Sequence, residues 1–227
     1  MPVQLDRRTL LVGGGIGIGL VIGFLAWPRG ASSPLPLRRD EQAFGAYLKI
    51  GRDGRVTVAV PQVETGQGIW TALPQLAAHE LGAAWDKVAV EPAPLVDGYS
   101  NPLSAEWLRV LDLGSEPVRI TARSTSMRGF GQPFRDAGAT ARAMLIAAAA
   151  ERWNVDPAEC DTADGMVLHR SGAFRFGDLA EEAAALSPAA VPPRRARGGR
   201  GLAGKPLPRL DLPAKSDGSF RFAGDVR

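Results

Sequence analysis

Two short stretches of this sequence carry residues that could bind a polar ligand, and the first is Val63–Thr71. In it, Gly66 and Gly68 lack a Cβ and let a ligand approach the backbone, while the Gln67 amide can both donate and accept hydrogen bonds. The stretch opens a predicted helix, whose first N–H groups lack intrahelical partners and suit an anion. A polar heterocycle or a phosphate would fit here. A simple glycine turn at a strand–helix junction explains the same residues.

The second stretch, Arg123–Asp136, combines hydroxyl groups, a charge and glycines just before a helix predicted over Asp136–Trp153. Its candidate ligand-binding residues are Ser124, Thr125, Ser126 and Arg128. Consecutive hydroxyls beside an arginine are typical of a loop that binds an anion. An ordinary N-terminal capping loop of the following helix is an equally good interpretation.

Charge and composition exclude several classes of site. The chain has 27 Lys and Arg against 24 Asp and Glu, but nine of the basic and only three of the acidic residues follow Leu186. The body is therefore slightly acidic, and we expect no nucleic-acid partner. Cys160 is the single cysteine, and His79 and His169 lie far apart, so we predict neither a disulfide nor a protein metal site. No residue stands out as catalytic.

The amino terminus predicts export. Arg7 and Arg8 precede an uncharged, glycine-rich run from Thr9 to Trp27, which is long enough to span a bilayer as a helix. This pattern resembles a twin-arginine export signal. Because no clear cleavage site follows, residues 1–29 are interpreted as a signal or a membrane anchor, and residues 30–42 as a linker. We expect a periplasmic body, anchored to the cytoplasmic membrane.

Periodicity predicts an α+β body over residues 43–186, with helices packed on a sheet in two layers. Phe44–Ile50 and Arg55–Val60 alternate in hydropathy across an Asp-Gly turn and predict a hairpin whose strands each have one covered face. Ile69–Leu81 has helical spacing, with Glu80 expected to face solvent, and Lys87–Pro92 returns as a strand.

The rest of the chain gives weaker patterns. Ala93–Glu116 has no clear periodicity, whereas residues 165–176 predict a second hairpin, followed by a short helix to Ala185. Residues 187–203 are rich in Pro, Arg and Gly and are interpreted as a linker. Within residues 204–227, Phe220–Val226 has the pattern of a strand, as if a further domain began there.

Three motifs in order resemble a known family. Glu64–Pro74 resembles the Glu-Met-Gly-Gln-Gly element of the xanthine dehydrogenase/aldehyde oxidase family of molybdenum hydroxylase large subunits. Ala137–Leu145 and Gly204–Gly218 are similar to the isoquinoline 1-oxidoreductase beta-subunit-like branch, which commonly carries a twin-arginine leader. Thr65 departs from the usual methionine. By this resemblance, residues 204–227 match the start of a hammerhead-like domain.

The resemblance implies a molybdopterin cytosine dinucleotide cofactor and hydroxylation of aldehydes or N-heterocycles with water-derived oxygen. It implies that Gly66, Gln67 and Gly68 contact the pterin or its phosphates. Ser124, Thr125, Ser126 and Arg128 would line a second cofactor-facing loop. It also implies partner subunits with iron–sulfur clusters and often cytochrome c. Glu64 suits a structural hydrogen bond better than the role of catalytic base.

Family members are about three times as long, so the resemblance covers their N-terminal portion alone. We therefore expect another polypeptide to supply the catalytic glutamate and the later cofactor loops, and no turnover by this chain alone. Two alternatives stay open. One is a non-catalytic, membrane-anchored assembly or scaffold module, or a truncated remnant of such a large subunit. The other is a periplasmic binding module for a nucleotide-like ligand.

Overall fold

The computed structural model describes residues 33–186, 192–195 and 201–226, and the interpreted signal at residues 1–29 lies outside them. The expected α+β class is confirmed. In chain order the elements are β1 (Glu41–Phe44), β2 (Leu48–Gly51), β3 (Val56–Val60), α1 (Ile69–Leu81), β4 (Val88–Pro92), α2 (Ser104–Val110), α3 (Thr125–Trp153), β5 (Asp161–Ala163), β6 (Met166–His169), β7 (Gly172–Arg175), α4 (Phe176–Ala184) and α5 (Leu212–Asp217).

The main sheet has the order β1-β2-β3-β4. Strands β1, β2 and β3 pair antiparallel, whereas β3 and β4 pair in parallel, because α1 carries the chain across the sheet between them. The apolar residues that alternate along β2 and β3 face the helices and are buried: Leu48, Ile50, Val56, Val58 and Val60. The predicted helix Ile69–Leu81 is confirmed at both ends.

The single strand predicted over Phe44–Ile50 is wrong, since the chain turns back in its middle. Gly45 has a φ of 74° and breaks the run, so β1 and β2 form a hairpin of their own. Strand β1 begins inside the predicted linker 30–42, at Glu41. The sequence does not reveal this strand because Glu41 and Gln42 are polar and do not continue the apolar alternation of Phe44–Ile50.

The second face of the sheet is covered as well, contrary to the expectation of one covered face. Lys49 is 3% exposed, and its Nζ lies 3.2 Å from a carboxylate oxygen of Glu41 and 3.0 Å from one of Glu91. The same Nζ donates to the Pro36 carbonyl oxygen, which places the 33–38 segment over this face. A charge can be buried here because two carboxylates and a carbonyl surround it.

Helix α3 is 29 residues long and packs along α1. It begins at Thr125, eleven residues before the predicted start at Asp136. The sequence did not predict its first turns because they contain Gly129, Gly131 and Pro133, and glycine and proline are poor helix formers. Burial of Phe130 and Phe134, both 0% exposed, stabilises the helix there.

Three further expectations are tested. A short helix, α2, lies in the stretch predicted to be irregular, and the second hairpin (β6 and β7) gains a third strand, β5. The strand predicted over Phe220–Val226 is wrong, since this run is irregular apart from a 3₁₀ turn at Ala223–Asp225.

Within the described ranges, no helix has both the length and the apolar character needed to cross a membrane.

Candidate functional site

The Gly-Gln-Gly loop is built around the side chain of Glu64. Its carboxylate accepts hydrogen bonds from the backbone N–H groups of Gly66, Gly68 and Trp70, at 2.8, 2.9 and 3.0 Å. Gly66 and Gly68 have φ values of 102° and 82°, so both glycines serve the turn itself. The Glu64 side chain is 1% exposed, as expected for a carboxylate that replaces water by three N–H donors.

This arrangement fills the anion site at the start of α1 with the chain's own carboxylate. The N–H groups at the start of α1 were expected to suit an anion from a ligand, but those of Gly68 and Trp70 bind Glu64 instead, as does the N–H of Gly66 in the loop. The structural role expected of Glu64 is confirmed. A negative charge at the N-terminus of α1 also interacts favourably with the helix dipole.

The Gln67 amide is bonded within the same loop. Its Oε1 accepts from the Thr65 N–H at 2.5 Å and the Thr65 hydroxyl at 2.9 Å, while its Nε2 donates to the Val63 carbonyl at 2.8 Å. Thr65, Gly66 and Gln67 are nevertheless exposed. Gln67 thus braces an exposed turn, and its contact with a cofactor stays a prediction.

The Ser124–Arg128 segment is the first turn of α3 rather than a loop. Ser124 is the residue before the helix, with a φ of 53°, and its side chain makes no capping hydrogen bond. Thr125 is buried, and its hydroxyl donates to the Ala122 carbonyl and accepts from the Asn101 amide at 2.7 Å. The Arg128 side chain is exposed, with no hydrogen bond or ion pair in the described part of the chain.

Gln62 joins the two predicted segments. The Ser126 hydroxyl donates to Gln62 Oε1 at 2.8 Å, and the Trp70 indole N–H donates to the Gln62 carbonyl at 2.8 Å. Gln62 is 2% exposed, so this connection is internal. The structure therefore brings the predicted segments to one side of the molecule, through a residue that sequence reasoning missed.

Arg209, Asp211 and Lys215 were also missed. The Arg209 guanidinium lies 3.2 Å from the Glu64 carboxylate and makes two hydrogen bonds to Asp211, at 3.0 and 2.8 Å. Lys215 Nζ lies 2.7 Å from Asp211. The available signal was the motif Gly204–Gly218, which carries these charges and belongs to the same resemblance as the loop that it contacts.

The charges and donors of this network lower the pKa values of its carboxyl groups. The Arg209 hydrogen bond, with help from Lys215, holds the pKa of Asp211 well below its ordinary value. Burial alone would raise the pKa of Glu64, but the N–H donors of Trp70, Gly68 and Gly66 lower it overall. Both groups therefore stay ionised near neutral pH.

Stability should consequently fall in acid. The unfolded carboxyls take up protons near their ordinary pKa of about 4, while the folded ones resist, so the network's contribution is complete above that pH and is lost progressively below it. We expect the urea midpoint to fall between about pH 5 and pH 3, and to fall less steeply in Asp211→Asn. Parallel pH profiles for the two proteins would contradict this assignment.

The second segment fits an anionic group better than the first. Arg128 and the Ser124 hydroxyl are exposed and suit a phosphate, whereas the loop offers only the exposed residues Thr65–Gln67 because its inner N–H groups are taken. An open cleft of about 650 Å³ includes Met127, the neighbour of Arg128 in the chain, but neither Arg128 itself nor the turn Thr65–Gln67. Its lining residues come from α1, α3 and the C-terminal segment: Leu76, Met127, Gly131, Gln132, Arg135, Ala203 and Gly204.

Comparison with known proteins gives a family match for the first of the two segments. The family described as "Molybdopterin cofactor-binding domain" matches residues 7–95, which include the Gly-Gln-Gly loop but not Ser124–Arg128. The beta subunit of isoquinoline 1-oxidoreductase from Brevundimonas diminuta is 30% identical over 99% of this chain and 32% of its own length. "Membrane-bound aldehyde dehydrogenase [pyrroloquinoline-quinone]" of Gluconacetobacter polyoxogenes is 30% identical over 99% of the chain and 28% of its length.

A third relative is a nicotinate dehydrogenase subunit of Pseudomonas putida, 27% identical over 93% of the chain and 17% of its own length. The chain thus spans a third or less of each of these relatives, while nearly all of the chain is matched. The chain is therefore related to the beta subunit of isoquinoline 1-oxidoreductase and to these two dehydrogenases, it corresponds to a portion of each, and its residues 7–95 match a molybdopterin cofactor-binding domain.

Proposed function

We propose that this chain is the molybdopterin-binding, N-terminal portion of an exported molybdenum hydroxylase that oxidises aldehydes or N-heterocycles. The observation that carries the proposal is the molybdopterin cofactor-binding match over residues 7–95, which includes a loop that the fold joins to Ser124–Arg128. The names of the relatives, which refer to isoquinoline, nicotinate and aldehyde oxidation, support the substrate class.

The cofactor would be molybdopterin cytosine dinucleotide, completed by residues outside this chain. Its molybdenum centre would supply the oxidation chemistry. In this chain, Arg128 and Ser124 would hold a phosphate, and the exposed turn Thr65–Gln67 would contact the cofactor at its surface. Thr125 and Ser126 would position that segment from inside, because their hydroxyls bond to Asn101 and Gln62.

The proposal includes partner polypeptides. An iron–sulfur subunit, often with cytochrome c, would take up the electrons, and a polypeptide equivalent to the rest of the relatives would complete the cofactor site. Exposed apolar side chains support this second partner, and Val63 and Met127 among them belong to the two segments; the others include Leu95, Val110 and Leu113. Val63 is tied to this region by its N–H, which donates to the Thr121 hydroxyl at 2.8 Å. Exposed apolar side chains that form one patch are typical of a surface that another polypeptide covers.

Export by the twin-arginine route and anchoring to the cytoplasmic membrane, with a periplasmic body, are part of the same proposal. Their support is the Arg7-Arg8 pair and the uncharged run that follows it. A cofactor-dependent protein that folds before export fits this route.

The direct test is the molybdenum and cytidine-nucleotide content of the tagged chain purified from its native membranes, with its partners. We expect stoichiometric metal, a larger co-purifying polypeptide, and a several-fold loss of cofactor in Arg128→Ala. Arg39→Ala removes an equally exposed arginine on the 33–40 segment and serves as the matched control. Metal-free protein, or equal cofactor content in the two variants, would contradict the proposal.

One observation favours the alternative of a non-catalytic scaffold module. The Gly-Gln-Gly loop satisfies its inner N–H groups and its glutamine amide without any ligand. In a scaffold, Gln67→Ala would leave ligand binding unchanged, because the loop would be only a turn. In the proposed enzyme portion, and in a nucleotide-binding module, the same substitution would weaken binding. Molybdenum content then separates these last two.

A further inference from the structure

The C-terminal segment 201–222 reaches the candidate cofactor loop through Arg209. One Arg209 nitrogen donates to the Glu64 carboxylate and another to the Gly66 carbonyl oxygen, both at 3.2 Å. The contact with Gly66 is to the backbone of the turn itself. Arg209 therefore fixes the orientation of a peptide group inside the Gly-Gln-Gly loop, beyond neutralising a nearby charge.

Arg209 is itself held in place from the other side. Asp211 accepts from two of its nitrogens, in the bidentate geometry that fixes a guanidinium plane. The Asp211 side chain is 0% exposed and also accepts from Lys215, 2.7 Å away. A buried carboxylate shared by two cations gives a rigid base, because each cation offsets part of the desolvation cost.

The rest of the segment is anchored along α1. The Gln75 amide donates to the carbonyls of Leu202 and Lys205, at 2.7 and 2.9 Å. The Leu210 N–H donates to the Thr71 hydroxyl at 3.2 Å. These bonds go to successive turns of the helix that the loop opens, so the segment follows the helix back to its start.

An aromatic contact closes the arrangement. The rings of Trp70 and Phe220 are 6.3 Å apart in an edge-to-face geometry, and the Lys215 ammonium lies 5.0 Å from the centre of the Phe220 ring. Trp70 also donates one of the three N–H groups that hold Glu64. The segment therefore contacts the loop region at two places, through Arg209 and through Phe220.

We propose that residues 201–222 are a clamp on the candidate cofactor loop, and that Arg209 is the positioning residue that sets the loop's conformation. The clamp holds the exposed turn Thr65–Gln67 in one orientation for the cofactor, a purpose that rests on the proposed function. Segment 201–222 thus belongs to the same structural unit as the loop. The predicted boundary at residue 204, with a separate hammerhead-like domain beyond it, is not needed to explain these contacts.

A local effect is the specific consequence of this geometry. Without Arg209, Glu64 still accepts three N–H groups, so the loop keeps the same average structure, but the Gly66 peptide loses its external partner. The loop should therefore open more often while the sheet core remains unchanged. A segment that merely adds stability would instead loosen core and loop together.

Hydrogen exchange of the full chain, resolved by mass spectrometry, tests this. In Arg209→Leu we expect amides of the loop to exchange at least about tenfold faster, with β2 and β3 unchanged. Asp211→Asn, which keeps the shape of the side chain but weakens the base of the clamp, should give a smaller acceleration in the same peptides. Arg52→Leu is the control, because Arg52 pairs with Glu181 at an exposed position away from the loop.

Unchanged loop exchange in a folded Arg209→Leu protein would overturn the clamp. So would equal acceleration of loop and core in both variants, since the segment would then only stabilise the fold. Because exchange needs no cofactor, the result is independent of the proposed function. If the protein contained no molybdenum and the loop exchanged faster in Arg209→Leu, the clamp would stand and the enzyme assignment would be refuted. If the protein contained molybdenum and loop exchange were unchanged, the clamp would be refuted and the enzyme assignment would stand.

Discussion

Replacing Glu80 by glutamine should destabilise the folded chain by about 3–5 kcal/mol, the cost of removing one partner from a buried ion pair. The Glu80 side chain is 0% exposed and lies between α1 and α3. Arg135 contacts its carboxylate with two nitrogens, at 2.7 and 2.6 Å. Without the carboxylate charge, a guanidinium that is only 14% exposed would be left uncompensated.

The loss should be large because Glu80 serves several elements at once. The Arg195 N–H donates to the second carboxylate oxygen at 2.6 Å, and the Arg142 guanidinium lies 3.9 Å from that oxygen. Arg195 belongs to the segment that was interpreted as a linker. The Arg195 guanidinium also donates to the Thr162 hydroxyl at 2.7 Å. Since Thr162 lies in β5, Arg195 connects α1 with the second sheet.

Urea denaturation of the full chain measures this effect, with Glu181→Gln as the matched control. Glu181 also pairs with an arginine, Arg52, but the two side chains are 73% and 70% exposed. An exposed pair contributes about 0–1 kcal/mol, so the control should unfold almost as the parent does. A loss below about 1 kcal/mol in Glu80→Gln would show that the arginines reach solvent or other partners.

Glu80 shows why sequence reasoning was wrong about a residue whose helix it predicted correctly. Hydrophobic spacing identifies Ile69–Leu81 because the pattern is local. The partners of Glu80 are 55, 62 and 115 positions away in the chain, so nothing near Glu80 indicates that it is buried. A carboxylate is expected at the surface unless paired, and the pairing is a property of the tertiary structure.

In the candidate site too, the local features were predictable from the sequence and the long-range contacts were not. The Gly-Gln-Gly turn and the helix after it were evident because glycine and helical spacing act over a few residues. The clamp was not, since Arg209 and Glu64 are 145 positions apart. The start of α3 was missed for a different reason, because burial of Phe130 and Phe134 outweighs the poor helix propensity of Gly129, Gly131 and Pro133.

Gly138→Ala is the second substitution expected to have a large effect. A Cβ at this position would lie 2.3 Å from the Ala77 carbonyl oxygen and 2.9 Å from Glu80 Cβ, so α1 and α3 could not keep their present distance. Overpacking costs about 1–3 kcal/mol, and the upper end applies because the obstacle is backbone that cannot rotate away. Alanine regains about 1 kcal/mol of helix propensity, which leaves a net loss of about 2 kcal/mol.

Gly131→Ala, in the same helix, is the control that separates packing from propensity. A Cβ there would meet Leu76 Cδ1 at 3.6 Å and Met127 Cε at 3.8 Å, which are ordinary contacts with flexible side chains. This variant should be more stable than the parent by about 0.5–1 kcal/mol, since only the propensity term remains. Opposite shifts of the two urea midpoints are the expected result. Stabilisation in both variants would mean that α3 can move away from α1 at little cost, and that the close approach at Gly138 does not hold the helices in register.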